Sequence, residues 1–348
     1  MAQQLELGVD TFGDVTAGAD GQLLPAAQVI RNLVDEAILA DEMGIDFIGV
    51  GEHHRPDFAV SAPEVVLAAI ATRTNRIHLG SAVTVLSSDD PIRVFQRFST
   101  VNAVSNGRAE VILGRGSFTE SFPLFGFQLS QYEELFEEKL DLFAALLKNE
   151  PVTWQGKIRP PLTNQHVFPP IEKGSLKTWI GVGGSPESVV RAAHYDLPLM
   201  LAIIGGDPTR FKPYVDLYHR AFAQYGRPAR EIGVHSPGFV CDTDEQAREQ
   251  LYPVYKTFRD RIGAERGWPP MGRAEFDQEI EHGSLYVGSP ETVARKIAAT
   301  AKALGISRFD LKYSAGALSH EKIMHCIELY GRKVIPMVRE MMGQSKGR

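Results

Sequence analysis

The chain has 348 residues, 43% apolar and 23% charged, with a formal net charge of −6 at neutral pH, the balance of a soluble globular protein long enough to build one large core. No block of lysine or arginine offers a basic face to a phosphate backbone, and no uncharged apolar run has the length of a membrane span, so neither nucleic acid nor a bilayer is an expected partner. Cys241 and Cys326 lie far apart without metal-type spacing, and the N-terminus, MAQQLELGVD, enters a strand pattern with no leader of signal type, both of which point to a reducing, cytoplasmic setting.

In chain order, apolar or β-branched runs at 5–10, 46–51, 77–85, 109–114, 178–182, 199–203, 232–240 and 308–313 predict eight strands. Stretches of helical period, such as that from Val29 to Ala40, separate most of them. Near-continuous apolar strands alternating with helices predict a parallel sheet covered by helices, and eight such units close into an α/β fold of the (β/α)8 TIM-barrel type. The expectation is one domain over residues 1–348. Ser61 with Glu64, Ser130 with Glu133 and Thr243 with Gln246 have the spacing of capping boxes, and Asp90-Pro91 pairs an acceptor with a proline at the first helical position. The acidic run YEELFEEKLDLF reads as the solvated face of a helix.

Two segments break the alternation. Residues 151–177 are proline-rich and polar, an insertion between helix 4 and strand 5 with a small hairpin around Gln155-Gly156. Residues 264–284 are expected to follow a helix at about 243–263 that descends from strand 7, and to climb back to the catalytic face before a helix from Pro290. There the segment serves either as a lid or as a plain surface excursion.

Barrel active sites form at the C-terminal ends of the strands. That rule gathers Asp10, Glu52-His53-His54, Thr84, Arg115, Gly183-Gly184-Ser185 and Lys312-Tyr313 around one mouth. For the histidine pair after strand 2 the alternatives are a metal site, an acid/base site and a structural turn. Zinc asks for about four converging donors, and apart from Asp10 the other strand ends supply none, so no metal is expected. The glycines of IGVGGSPESVVR let a ligand approach the backbone, and Ser185 opens a helix whose first N–H groups suit a phosphate. The same device recurs at Gly288-Ser289-Pro290-Glu291, but the first copy follows its strand directly and is preferred. Arg115, between Gly114 and Gly116, either meets that phosphate or forms an internal salt bridge. Phe12, Phe58, Phe118 and Phe122 are placed to keep water from the mouth.

Glu52-His53-His54, GSAVTVLSSDDPIRVFQ from Gly80, SNGRAEVILGRGS from Ser105 and VGGSPESV from Val182, in this order, resemble the bacterial luciferase-like family of flavin-dependent monooxygenases. VGSPETVARKI near the C-terminus resembles the family as well. The resemblance implies reduced FMN at the mouth, supplied with NAD(P)H through a separate reductase, O2 as co-substrate, a small organic substrate and a homodimer. It implies that Arg115, Gly183, Gly184 and Ser185 hold the flavin phosphate and that Ala82-Val83 form a non-proline cis peptide under the ring. It further implies that His53 and His54 hydrogen-bond near the reacting edge and move protons. One departure stands out: luciferases carry a reactive cysteine immediately before the phosphate arginine, where this chain has Gly114. The departure implies open space beside the flavin and speaks against light emission. Rival expectations are a deazaflavin-dependent oxidoreductase on the same barrel and a flavin-binding protein without turnover.

Overall fold

The computed structural model describes residues 4–344; the first three residues of MAQQLELGVD lie outside it. The strands β1 (Glu6–Thr11), β2 (Phe47–Val50), β3 (His78–Ser81), β4 (Ala109–Gly114), β5 (Lys177–Val182), β6 (Leu199–Ala202), β7 (Ile232–Val240) and β8 (Arg308–Lys312) pair in parallel in chain order. The ring closes where β8 meets β1, from Glu6↔Arg308 to Asp10↔Lys312. Each strand lies within a residue or two of its predicted run except the third. That run splits into β3 and a two-residue strand Thr84–Val85 that pairs with the end of β4. Between them stands a cis peptide bond at Ala82-Val83, where the sequence resemblance placed one.

The outer layer contains α1 (Ala26–Glu42), α2 (Pro63–Ala71), α3 (Pro91–Val104), α4 (Tyr132–Leu146), α5 (Pro186–His194) and α6 (Lys212–Gln224). Of the expected caps, Asp90 accepts from the N–H groups of Ile92 and Arg93 at the start of α3, and Ser185 caps α5 through Ser188 N. Two expected capping boxes do not form. Ala62, not Ser61, stands at the N-cap of α2 without a side-chain bond, and Ser130 lies inside a 3-10 turn, Leu129–Gln131, that leads into α4. The insertion after α4 does make a hairpin: Val152–Trp154 pairs antiparallel with Leu162–Gln165 around a loop containing Gly156.

The segment between β7 and β8 departs from expectation. The helix after β7, α7 (Asp244–Arg266), does not descend. Its first residue, Asp244, accepts from Ser289 N, while its other end binds loops that follow β2 and β4: Arg55 pairs with Glu265 at 2.5 Å and Arg266 donates to the Ser117 carbonyl at 3.2 Å. The helix therefore spans the C-terminal face. Residues 264–284 are largely helical too, through α8 (Arg273–Glu281), and Tyr286–Gly288 then adds a short parallel strand beside the end of β7. The helix that returns to the base is α9 (Pro290–Leu304). Burial explains the difference. Along α9, Val293, Ala294, Ile297, Ala298, Ala301 and Leu304 form a continuous buried stripe, whereas α7 buries only Ala247, Leu251, Ile262 and Gly263 over 23 residues. A barrel helix needs that apolar stripe to pack on the strands, and α7 lacks it.

The barrel interior carries charge near its base. Arg308 sits between the rings of Phe47 and Trp179, 4.3 and 4.7 Å from their centroids, and forks onto Glu110 at 2.8 and 3.0 Å. Trp179 Nε1 donates to the same carboxylate at 2.9 Å. Burial opposes ionisation of Glu110, but Arg308 outweighs it and, with a hydrogen bond from His78, holds the carboxyl well below its usual range. One layer up, burial holds the Asp310 carboxyl well above that range, with Arg308 only partly offsetting it.

Candidate active site

A cavity of about 590 Å³ opens at the C-terminal face. Phe12 after β1, Phe58 and Phe118 from the loops after β2 and β4, His235 on β7 and Lys312 at the end of β8 form its wall; Phe258, Ile262 and Trp268, from α7 and the turn beyond it, roof it. The volume is of the order that takes a small organic molecule. Phe122, expected beside the other phenylalanines, is instead fully buried and stacks on Tyr132 at 5.6 Å.

His53 is enclosed by rings. Its centroid lies 4.8 Å from Phe12, 4.4 Å from Phe58 and 5.0 Å from Phe118, and its Nε2 is buried without a hydrogen-bond partner among the described residues. Burial pulls the imidazole down to about 3, Asp14 opposing and Lys312 adding to the effect. His53 is therefore neutral at physiological pH, and of the two roles expected for it, hydrogen bonding suits this environment. His54 turns away from its neighbour. Its Nε2 lies 2.9 Å from Glu52 Oε1, its ring meets Phe125 edge-on at 5.2 Å, and Glu52 is fixed in turn by the N–H of Val85 at 2.9 Å. The pair is adjacent in sequence and divided in space.

Val83, after the cis bond, packs on the buried Phe47, Ile112, Trp179 and Met200 and so caps the apolar part of the barrel interior. The glycines around it give it room: a Cβ at Gly114 would come within 2.5 Å of Val83 Cγ2, and one at Gly181 within 3.1 Å of Cγ1. This corrects the expectation that Gly114 leaves open space, because the Val83 side chain fills it.

At the ends of β4 and β5, Arg115 forms a salt bridge with Glu133 and lies over the Tyr132 ring at 5.4 Å. Arg191 shares Glu133 at 3.6 Å and meets Glu137 at 2.7 Å. Ser185 Oγ donates to Glu187 at 2.8 Å. The carboxyl of Glu187 is lowered first by its own N–H and by Ser185, with Arg115 and Arg191 adding to it, and Arg191 donates to Ser188 Oγ at 3.2 Å in the first turn of α5. A Cβ at Gly183 would meet nothing within 4 Å, and Gly184 has φ +127°, in the region glycine favours. The second copy of the Gly-Ser-Pro-Glu device is already filled: the Asp244 carboxylate accepts from Ser289 N at 2.6 Å and Thr292 Oγ1 at 3.0 Å, so an internal anion occupies the place a phosphate would take.

Two clusters escaped the sequence reading. Lys312 meets Asp14 at 3.1 and 3.2 Å and donates to the Ser314 carbonyl, and His235 Nδ1 lies 2.6 Å from Asp10 Oδ2. The signal for the second was strand parity. On β7 the alternation that points Gly233 and Pro237 inward also points His235 inward, level with Asp310 on β8. Among the described residues no group of three or more His, Cys, Asp or Glu side chains is arranged to hold a metal ion, and no helix is long and apolar enough to cross a membrane.

The fold is shared with known proteins. The monooxygenase RslO1 from Streptomyces bottropensis superposes with a TM-score of 0.82 at 20% identity, over 95% of this chain and 99% of that one. The oxygenating constituent of 3,6-diketocamphane monooxygenase from Pseudomonas putida, solved with FMN, gives 0.76 at 19% identity over 96% and 98%. An F420-dependent secondary alcohol dehydrogenase gives 0.76 at 18% identity over 97% and 99%. The family model for luciferase-like monooxygenases matches residues 11–308, and the chain belongs to that family.

Proposed function

We propose that the protein is a flavin-dependent monooxygenase that uses reduced FMN and O2 to oxygenate a small organic substrate in the mouth cavity. The observation that carries this reading is the buried, unpartnered Nε2 of His53 behind an aromatic wall. A buried polar atom without a partner costs stability, and the neutral imidazole is poised to meet a polar ligand atom. The open cradle at Gly183 supports the same reading, since it leaves the backbone approachable next to Arg115 and the N-terminus of α5.

FMN would be held by Arg115, Gly183, Gly184 and Ser185 at its phosphate, with Ala82 and Val83 beneath its ring, and when bound in reduced form it supplies the electrons that activate O2. The chain's own residues do the rest. Arg115, paired with Glu133 in this structure, would be the cation that meets the phosphate, and the first-turn N–H groups of α5 would add donors to it. His53 offers Nε2 for a hydrogen bond, and His54 is held by Glu52. Phe12, Phe58 and Phe118 exclude water, and α7 covers the mouth. The reduced cofactor comes from a separate reductase using NAD(P)H, and the protein acts as a homodimer in the cytoplasm. A deazaflavin reading draws support from the likeness to the F420-dependent dehydrogenase.

Titration of the protein with FMN and, separately, with a deazaflavin, followed by tryptophan fluorescence, tests the cofactor. Oxygen uptake with NADH and a flavin reductase then tests the chemistry. Arg115→Ala should weaken FMN binding substantially; unchanged affinity would remove Arg115 from the site. Preference for the deazaflavin, with no oxygen uptake, would replace the monooxygenase reading.

A further inference from the structure

Asp10 on β1 and His235 on β7 meet across β8 at the cavity floor. Both are almost wholly buried, and the Nδ1 to Oδ2 distance is 2.6 Å. A carboxylate at Nδ1 fixes the proton on that nitrogen and leaves Nε2 as a lone-pair acceptor. His235 Nε2 makes no hydrogen bond among the described residues, and the ring forms part of the cavity wall. Phe12 stacks on the imidazole, at 5.7 Å and 20° between planes, and holds its orientation.

The other polar group of the floor is committed. Lys312 directs its ammonium to Asp14, to the Ser314 carbonyl and to Ser314 Oγ, with the Phe12 ring 4.7 Å away. Asp310, level with His235 on β8, is buried away from the cavity lining, and burial raises its carboxyl well above the usual range. His53 does not line this cavity, and its unpartnered Nε2 is the group proposed to meet the cofactor. At the floor the open acceptor is thus His235 Nε2, and Phe12, Phe58, Phe118, Phe258 and Trp268 give the cavity its flat apolar faces, while the carboxylates of its lining are engaged, Glu275 by Arg259 and Glu279 by Gly206 N. A ligand that satisfies both has a flat apolar body and an acidic O–H, because a carboxylate-backed imidazole gains most from an acidic donor.

We propose that His235, held by Asp10, is the specificity-determining acceptor of the cavity and selects a planar substrate carrying a hydroxyl of the phenol or enol kind. The proposal rests on the reading of this cavity as the substrate pocket. His235 touches the substrate, and Asp10 is a positioning residue that acts through it.

The test compares two probes, 6-fluoro-2-naphthol and its methyl ether, whose dissociation constants from the full-length protein are measured by fluorine NMR with and without FMN. The wild type should bind the naphthol about tenfold more tightly than the ether. His235→Leu should bring that ratio close to one, and Asp10→Asn should lower it about threefold. A purely structural role for Asp10 would weaken both probes alike and leave the ratio unmoved. A ratio near one in the wild type, no binding of either probe, or an unchanged ratio in His235→Leu would each overturn the proposal, and the wild-type ratio decides even if the variants fail to fold. Failure of FMN to bind would strike the cofactor reading instead and leave the probe ratio intact.

Discussion

Replacing His53 by phenylalanine should make the protein less sensitive to acid. The ordinary value for the imidazole is 6.5, and in the folded protein burial pulls it down to about 3. The folded state thus refuses a proton that the unfolded chain accepts. The stability associated with His53 is complete above pH 6.5 and is lost progressively as the pH falls from there towards 3. With one pH unit corresponding to about 1.4 kcal/mol, the 1.5 units between 6.5 and 5.0 amount to about 2 kcal/mol at pH 5.0. Phenylalanine keeps a ring against Phe12, Phe58 and Phe118 and removes the unpartnered nitrogen, so at pH 7.5 the variant should be as stable as the wild type or more so by about 1 kcal/mol. The assay is urea unfolding of both proteins at pH 7.5 and pH 5.0. Glu110 and Asp14 also titrate with folding, but they do so in both proteins, and the double difference isolates His53. The wild type should lose about 2 kcal/mol more than His53→Phe. Parallel losses, within about 0.5 kcal/mol, would show that His53 takes up a proton in the folded state as readily as in the unfolded one and refute the argument.

Three further outcomes follow from contacts already described. Gly114→Cys places a Cβ within 2.5 Å of Val83 Cγ2 and should destabilise by about 1–3 kcal/mol; thermal unfolding should show most of the loss restored by adding Val83→Ala, and a fully stable Gly114→Cys would show that Val83 yields freely. Glu110→Gln removes the buried carboxylate of the two that meet Arg308 and leaves only the part-exposed Glu6 to balance its charge, and should cost about 3 kcal/mol in urea unfolding, whereas Arg308→Met with Glu110→Leu should cost much less. Arg55→Ala severs the pairs to Glu265 and Glu120 that tie α7 and the β4 loop over the mouth; hydrogen exchange of residues 257–268 should quicken by about tenfold while the barrel strands are unaffected, and unchanged exchange would mean that the Arg261–Asp57 pair at 2.6 Å suffices to hold the helix.

Strand positions were legible because the eight runs are buried on both sides and so appear as near-continuous apolar stretches, as from Ala109 to Leu113. The cap at Asp90 was legible because its chemistry is local. Ser61 and Ser130 had the right spacing, but the backbone enters α2 and α4 one residue later than that spacing assumes, and spacing cannot sense the path of the incoming chain. The direction of α7 was inferred from barrel topology while its own composition, poor in apolar residues at helical spacing, argued otherwise. At the site, sequence order pointed to His53, Arg115 and Gly183 but could not separate His53, which packs on Phe12, from His54, which bonds Glu52. Asp10 and His235 are 225 positions apart, and only a closed barrel with a known register brings them together.

The column of inward-facing residues on β8 shows why so polar a barrel offers so little free charge at its floor. Arg308 is saturated by Glu110, Glu6 and two aromatic faces, burial raises the Asp310 carboxyl well above its usual range, and Lys312 is enclosed by Asp14 and Ser314. A buried charge is tolerable when its hydrogen-bonding positions are filled, and the two cations of the column, Arg308 and Lys312, are filled by their own neighbours. The groups left with an open nitrogen are the two imidazoles flanking Phe12, His53 edge-on at 4.8 Å and His235 stacked at 5.7 Å. Of these His235 forms part of the cavity wall, and His53 stands behind the aromatic rings outside that lining. Phe12 therefore does more than exclude water: it fixes the orientation of both rings, so its replacement by a smaller side chain would loosen two hydrogen-bonding groups at once, one expected to face the cofactor and one expected to face the substrate.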